Sequence, residues 1–370
     1  VLWFPPPGSY TGEACAELHV HGGPSVINGV TDALLALGGR PAEPGEFTCR
    51  AFLNGRMDLT EAEAVLDLID AETSAQRGQA LAQLGGALTR TYEEWRARLT
   101  GLLAHQEALI DFPDEDLPPE IEAGLQLDLD TLRHEIAAHL NDERRGERLR
   151  EGVTIAVTGP PNAGKSSLVN ALTNRDVAIV SALPGTTRDA LEARLVLAGV
   201  PVTLVDTAGL RETTDPIEAE GVRRALARAR DADVVLRLQE STRPVVASAP
   251  PSRAHIDLIT KIDLLAGPEL PAGTLGVSIV SGAGMAELRA RLEDEVIRLT
   301  RGSGQAPLTR ARHRAALTEA LARLDAACNA PAELCAEDLR LALRSLGRVT
   351  GRVDVEEILG QIFSQFCIGK

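Results

Sequence analysis

The stretch Gly159-Pro160-Pro161-Asn162-Ala163-Gly164-Lys165-Ser166 leaves the surrounding chain little choice of fold. It fits G-x-x-x-x-G-K-[ST], the phosphate-binding P-loop. The run before it, Val153-Thr154-Ile155-Ala156-Val157, is short, apolar and β-branched, as a buried parallel strand is. The run after it, Ser167-Leu168-Val169-Asn170-Ala171-Leu172, reads as the first turns of a helix. Gly159 and Gly164 let backbone N–H groups turn inward onto phosphate oxygens. The positive end of the helix dipole faces the same anions. Lys165 reaches the β- and γ-phosphates, the Ser166 hydroxyl suits Mg²⁺, and Ala163 and Ser167 complete the cradle. A chance glycine loop would need neither the strand nor the helix.

Residues 151 to about 300 alternate strand and helix, the pattern of an α/β domain. Strands are predicted near 153–158, 193–198, 201–206, 233–238, 255–260 and 275–280, with a Pro/Ser/Ala-rich loop from Thr242 to Arg253. Helices lie on both sides of this domain. Leu59, Ala62, Ala64, Val65, Leu68 and Ile69 form an apolar stripe, continued by Leu81, Leu84, Leu88, Trp95, Leu99, Leu102 and Leu103. Pro113-Asp114-Glu115-Asp116-Leu117-Pro118-Pro119 breaks it, as a solvated helix junction rather than a metal site. One helix is predicted from about Ile121 to Arg150, and the chain is helical again from Leu308. The α/β domain is therefore inserted into a helical domain. Residues 1 to about 55 are rich in Gly and Pro, with a strand over Ala14–Val20 and a helix over Val26–Leu37 ending at Gly38-Gly39. In that strand Ala16, Leu18 and Val20 share one face. His19 and His21 share a side too, but no third ligand is near, so packing and hydrogen-bonding roles are expected. The start at Val1-Leu2-Trp3-Phe4, without Met, reads as a fragment lacking its amino terminus.

Composition narrows the class. Apolar residues make up 44%, enough for packed cores, and the net charge of −15 argues against a bulk electrostatic nucleic-acid binder, leaving local basic patches. Cys15, Cys49, Cys328, Cys335 and Cys367 are scattered, with no C-x-x-C pair, so neither a disulfide framework nor a zinc site is indicated and a reducing cytoplasm is expected. No run is long and apolar enough for a membrane span.

Further parts of a nucleotide site follow in order. Gly185-Thr186-Thr187-Arg188-Asp189 supplies a Thr hydroxyl for the Mg²⁺ shell. Val202-Thr203-Leu204-Val205 leads into Asp206-Thr207-Ala208-Gly209, a D-x-x-G with Asp206 for the metal and the Gly209 N–H for the γ-phosphate. His255-Ile256-Asp257-Leu258-Ile259 leads into Thr260-Lys261-Ile262-Asp263, against the guanine-reading N-K-x-D. Asp263 accepts from guanine N1–H and its exocyclic amine. Adenine would leave the carboxylate unpaired in a buried site, so GTP is favoured over an ATPase reading. Thr260 departs from the usual Asn. Ser278-Ile279-Val280 sits where a loop closes over the base. Leu210 replaces the Gln that orients water in many regulatory GTPases, and leucine cannot do so. Glu218 is a candidate for holding a bridging water, or an ordinary acid at a helix start. No arginine finger stands out, although Arg188 and Arg211 are near.

The flanks carry a resemblance. Thr11-Gly12-Glu13, His21-Gly22-Gly23-Pro24, Pro44-Gly45-Glu46-Phe47, Arg50-Ala51-Phe52-Leu53-Asn54-Gly55, Asp70-Ala71 and Phe366-Cys367-Ile368-Gly369-Lys370 are similar to the bacterial tRNA modification GTPases of the MnmE (TrmE) family. The resemblance implies a multidomain α+β and α/β fold. Its parts are a partial N-terminal folate-binding and dimerising α+β domain at 1–56, a discontinuous all-helical domain at 57–150 and 301–370, and an inserted Ras-like α/β P-loop GTPase domain at 151–300. It implies action in a heterotetramer with an FAD-dependent MnmG-type flavoprotein, on tRNA, installing an aminomethyl-type (carboxymethylaminomethyl) group at C5 of the wobble uridine. The implied one-carbon donor is 5-formyl- or 5,10-methylene-tetrahydrofolate, and K⁺ drives hydrolysis and pairing of GTPase domains in a homodimer. By motif match, Asn162, Ser181, Leu183 and Thr186 supply oxygens to K⁺, and Ser166 and Thr187 ligate Mg²⁺. Glu218 orients the catalytic water through a second water, with Gly185 and Thr187 beside it. Glu17, Arg56 and Lys370 fall at the folate contact. Without the family, Glu17 and Arg56 read as a solvated surface pair and Lys370 as a frayed end.

Two features stay open. Cys367 in Phe-Cys-Ile is a nucleophile or a buried small apolar residue. The Arg310-Ala311-Arg312-His313-Arg314 cluster touches tRNA phosphates or is a solvated helix start. A ribosome-associated GTPase switch that acts only by binding is the competing function.

Overall fold

The computed structural model describes residues 1–111, 119–175, 192–206, 230–241, 254–265, 270–302, 306–328, 330–353 and 356–366. They fall into two compact units, Val1–Ala71 with Gly78–Asp142 and Ala306–Lys370, and Glu72–Arg77 with Glu143–Gln305. In chain order the helices are α1 Pro24–Ala36, α2 Glu46–Leu53, α3 Leu59–Asp70, α4 Ser74–Leu84, α5 Ala87–Asp111, α6 Pro119–Leu140, α7 Arg145–Glu151, α8 Lys165–Arg175, α9 Met285–Thr300, α10 Ala311–Ala327, α11 Ala332–Thr350 and α12 Glu356–Phe363. The strands are β1 Leu2–Phe4, β2 Cys15–Glu17, β3 Val153–Thr158, β4 Glu192–Leu197, β5 Val200–Asp206, β6 Val234–Glu240, β7 Ala254–Thr260 and β8 Leu275–Val277.

In the first unit, β1 and β2 form an antiparallel pair, Leu2 opposite Glu17 and Phe4 opposite Cys15. The strand predicted over Ala14–Val20 is thus cut to three residues. Leu18 and Val20 stand 39% and 47% exposed, and α1 buries none of its residues, so no layer within the described residues covers the alternating face. The helical part is better packed. Leu88, Trp95, Leu99 and Leu102 of α5 share a core with Leu132 and Ile136 of α6, Leu317 and Leu324 of α10, and Leu339 and Leu346 of α11. Leu81, assigned to that stripe by spacing, is half exposed. Helix α3 starts at an Asp58 cap that accepts from Glu61 N–H, with the Glu61 carboxylate accepting from Asp58 N–H, a reciprocal capping box. It packs through Leu59, Ala62 and Leu66 against Ile362, Phe363 and Phe366.

The second unit is a six-stranded sheet in the order β4-β5-β3-β6-β7-β8, antiparallel at β4–β5 and parallel elsewhere. Alternate residues of these strands, with Leu168 and Leu172 of α8 and Leu288, Leu292 and Val296 of α9, form its core. β3 lies at the centre, so its carboxyl end, where the P-loop begins, opens at the middle of the sheet. The α+β, all-helical and inserted α/β parts read from the sequence are all present.

Two predicted elements differ. The helix expected over 121–150 is two, α6 and α7, because Glu143 and Arg144 have φ of 52° and 61°. That left-handed backbone cannot continue a right-handed helix. The strand expected over 275–280 ends at Val277, because Ser278 starts a turn: its Oγ accepts from Ser281 N–H at 3.1 Å and its carbonyl from Gly282 N–H at 2.9 Å. The acidic loop at 113–118 and the loop at 242–253 lie outside the described residues.

Candidate nucleotide site

The P-loop leaves β3 through Gly159, whose φ is 148°. A Cβ built there would lie 2.4 Å from the Leu238 carbonyl oxygen, so β6 passes too close for any side chain. Asn162 (φ 65°) and Gly164 (φ 88°) carry the turn through left-handed conformations, the kind of backbone from which anion-binding nests are built. Ala163 is fully buried beneath the loop, while Asn162 and Ser167 are exposed. The Lys165 ammonium, 6% exposed, donates to the Gly159 and Pro160 carbonyls at 2.8 and 2.9 Å. It is thereby held along the loop, at the first turn of α8.

Pairing of β3 with β5 brings the next motif to this point, with Val157 in register with Asp206. The Ser166 hydroxyl donates to Asp206 Oδ2 at 2.5 Å. Two residues separated by 40 positions thus meet where the sequence motifs place a metal. On the other flank, β7 ends at Thr260, which is 2% exposed. Its Oγ1 lies 2.8 Å from the Ala163 carbonyl oxygen and 3.1 Å from that of Gln239. Lys261 turns with φ 59° and its ammonium pairs with Glu240 at 2.7 Å. Asp263 follows on the single helical turn Ile262–Leu264 and is exposed rather than buried. Adenine is therefore disfavoured only where the bound base itself desolvates this carboxylate and leaves it unpaired. Ser278 is fully buried in its turn, and Ile279 packs its side chain against the core of the sheet.

The structure therefore gathers Asn162, Ala163, Gly164, Lys165, Ser166, Ser167 and Asp206, with Thr260 bonded to the same loop. Ser181, Leu183, Gly185, Thr186, Thr187, Arg188, Gly209, Leu210, Arg211, Glu218, Cys367 and Lys370 lie outside the described residues. Glu17 and Arg56 are exposed, and they do not form the surface pair that ordinary solvation suggests. Glu17 pairs with His19 at 2.9 Å, whereas Arg56 runs beside the Gly12 turn, its Cγ 3.2 Å from where a Cβ of Gly12 would sit. No group of three or more His, Cys, Asp or Glu side chains able to hold a metal occurs among the described residues. Cys15, Cys49, Cys328 and Cys335 are free. No described helix is long and apolar enough to cross a membrane.

The arginine cluster after residue 309 is a helix start, but its charged side chains are paired within the protein rather than left to solvent. Arg312 makes a bidentate pair with Glu63 at 2.6 and 2.7 Å, Arg310 pairs with Asp67 at 2.7 Å, and Arg314 with Asp142 at 2.6 Å. Buried His313 meets Glu63 Oε2 at 2.9 Å through Nε2. Burial works to raise the Glu63 carboxyl, but Arg312 and His313 override it and hold the group far below the ordinary carboxylate range. Burial, with Arg312 adding to it, pushes His313 down. Glu63 was missed in the sequence. Its one signal was position: an acid at 63 shares a helix face with Leu59 and Leu66, where only a paired charge can be buried.

A family model described as the MnmE helical domain matches residues 59–367, and one described as the GTP-binding protein TrmE N-terminus matches residues 1–56. A tRNA modification GTPase MnmE of Granulibacter bethesdensis is 58% identical over 378 residues, which covers 100% of this chain and 86% of that protein. A protein of the same description from Gluconacetobacter diazotrophicus is 58% identical over 373 residues, 100% of this chain and 84% of its own length. Among solved structures, the FeoB G-domain from Methanococcus jannaschii is 21% identical, covering 39% of this chain and 97% of that one with a TM-score of 0.27.

Proposed function

The chain belongs to the MnmE family of tRNA modification GTPases, and from that premise we propose how its parts divide the work. It is a GTP hydrolase, and its hydrolysis serves tRNA modification. In our reading the P-loop holds the triphosphate, with backbone N–H groups of 162–166 on the phosphate oxygens. Lys165 exchanges two loop carbonyls for the more strongly charged β- and γ-oxygens. The observation that carries the reading is the Ser166–Asp206 contact of 2.5 Å beside that loop. Paired hard oxygen donors of this kind fit Mg²⁺. When bound, that ion neutralises charge on the phosphate oxygens. Asp263 reads the guanine N1–H and amine, and the turn at Ser278–Ile279 lies over the base. Thr187 joins Ser166 at the metal. Glu218 orients water, with Gly185 adjoining. Asn162 with Ser181, Leu183 and Thr186 takes K⁺, in place of an arginine finger.

Beyond hydrolysis we assign the chain the family's chemistry. An FAD-dependent MnmG-type flavoprotein partners a homodimer of it in a heterotetramer, and together they build the aminomethyl-type group on C5 of the wobble uridine. Glu17, Arg56 and Lys370 contact the tetrahydrofolate derivative that supplies the carbon. Exposed Glu17 and Arg56 in the same part of the chain are compatible with a ligand that carries both amine and carboxylate groups. GTP turnover by the protein and its Ser166→Ala form, with Mg²⁺ varied, tests the nucleotide site. The expected result is loss of turnover by about a hundredfold or more in the variant, the scale of removing a preorganised charge-stabilising group. Equal turnover would remove Ser166 and Asp206 from the metal site.

A further inference from the structure

Thr260 stands where the guanine-reading motif carries Asn, and its surroundings define what the exchange does. The hydroxyl has one proton. Both atoms within its hydrogen-bonding reach are carbonyl oxygens, Ala163 at 2.8 Å and Gln239 at 3.1 Å. Whichever it chooses, the proton stays within the protein, because burial at 2% exposure leaves no reason to give up a partner. The strand end around it is also fixed, since the Thr260 carbonyl accepts from Ser241 N–H at 3.1 Å and the Lys261 carbonyl from Ser241 Oγ at 2.9 Å. The outer edge of guanine offers only acceptors, N7 and O6. An Asn amide has two donors, so it can hold a loop carbonyl with one and reach N7 with the other. A Thr hydroxyl cannot do both.

Resting on the guanine-nucleotide reading above, we infer that Thr260 is a positioning residue: it ties the P-loop to the base-reading strand through Ala163 and leaves guanine N7 unread. Adenine and guanine share N7, so this loss lowers affinity for the purine without changing the choice between the two. The choice rests on Asp263. The tether makes phosphate binding depend on a residue that touches no nucleotide atom.

The test uses GTP and 7-deaza-GTP, which lacks the N7 acceptor, in calorimetric titrations of the parent, Thr260→Ser, Thr260→Val and Thr260→Asn proteins. The parent and Thr260→Ser should bind the two nucleotides equally. Thr260→Val strands a buried carbonyl and should weaken both nucleotides together by about tenfold. Thr260→Asn should prefer GTP over 7-deaza-GTP by about tenfold, a discrimination the parent lacks. Hydrogen exchange of the P-loop amides in nucleotide-free protein should quicken in Thr260→Val and remain unchanged in Thr260→Ser. A Thr260→Val loss confined to GTP, or a parent preference for GTP over 7-deaza-GTP that Val abolishes, would show that Thr260 reads N7 and overturn the inference. If Thr260→Val fails to fold, the parent and Thr260→Asn titrations decide alone, and absence of any new preference in Thr260→Asn overturns it. A parent that binds neither nucleotide overturns the guanine-nucleotide reading itself, and a P-loop exchange rate unchanged in Thr260→Val overturns the tether separately.

Discussion

Gly159 is the residue where backbone geometry bears most directly on binding. Its φ of 148° and the Leu238 carbonyl 2.4 Å from a built Cβ mean that Gly159→Ala must push the loop away from β6. GTP affinity measured by titration should fall by about a hundredfold, because several N–H contacts shift together. Retained affinity would mean that the loop tolerates the displacement. Asp263→Asn should weaken GTP and improve xanthosine triphosphate by about tenfold or more each, since an amide donates where the carboxylate only accepts. Equal GTP binding by both proteins would take Asp263 out of the base site. At this scale the sequence was most readable where partners are consecutive. Gly159 to Ser166 act as one contiguous strip, and its motif was plain. The Arg312–Glu63 pair, 249 positions apart, was not, because nothing local in Arg310-Ala311-Arg312 says which acid will lie opposite. Thr260 read as a weakened base contact. Its bond to Ala163 depends on where two loops meet in space.

Helix α3 shows how much one element depends on its end and on its one buried charge. Besides Glu61 N–H, Asp58 accepts from the Thr60 hydroxyl at 2.8 Å and from that of Thr89. Asp58→Ala should therefore cost about 1–2 kcal/mol of stability in denaturant unfolding. An unchanged midpoint would contradict the capping role. Glu63→Ala should cost more, about 3–5 kcal/mol, because it leaves Arg312 buried against no counter-charge. The same network sets a pH dependence. His313 faces Glu63, Arg310 and Arg312, with Tyr92 beside it, and its folded pKa is lowered. The unfolded chain therefore binds the proton first, and stability contributed by neutral His313 is lost as pH falls below about 6.5. Glu63, lowered too, adds its loss only below about 4.3, as the unfolded carboxylate protonates. Tm measured at pH 7 and pH 5.5 should drop, and the drop should be smaller in His313→Gln. A flat Tm would contradict the burial of a neutral imidazole. Element by element, the six strands of the α/β unit were legible to within a few residues, because β-branched runs bounded by turns leave little choice. The break between α6 and α7 was not, since Glu143 and Arg144 carry no signal for left-handed backbone. Nor was the shortness of β2, whose alternation described a buried face that the described residues do not cover.

Across the whole molecule, the insertion of an α/β unit into a helical one was legible from a stretch that alternates strand and helix between two stretches of long helices. The chemistry that such a chain serves was legible only through family resemblance, because short motifs such as Phe366-Cys367-Ile368-Gly369-Lys370 have no meaning in periodicity or charge. The proposed K⁺ activation belongs to this scale, since the cation would join parts of separate segments. GTP turnover in KCl should exceed that in NaCl of equal ionic strength by about tenfold or more, as a fixed charge at the transferring phosphoryl does elsewhere. Identical rates would remove the cation from the mechanism. The central claim is that GTP hydrolysis at Gly159–Ser166 drives modification of the tRNA wobble uridine. It is tested most directly by mass spectrometry of tRNA from cells whose own protein of this family has been deleted, supplied with either this protein or its Lys165→Ala form. The account predicts that C5-modified wobble uridine returns with the parent and is absent with Lys165→Ala. Equal restoration by both forms, or none by the parent when it is folded and hydrolysing GTP, would contradict it.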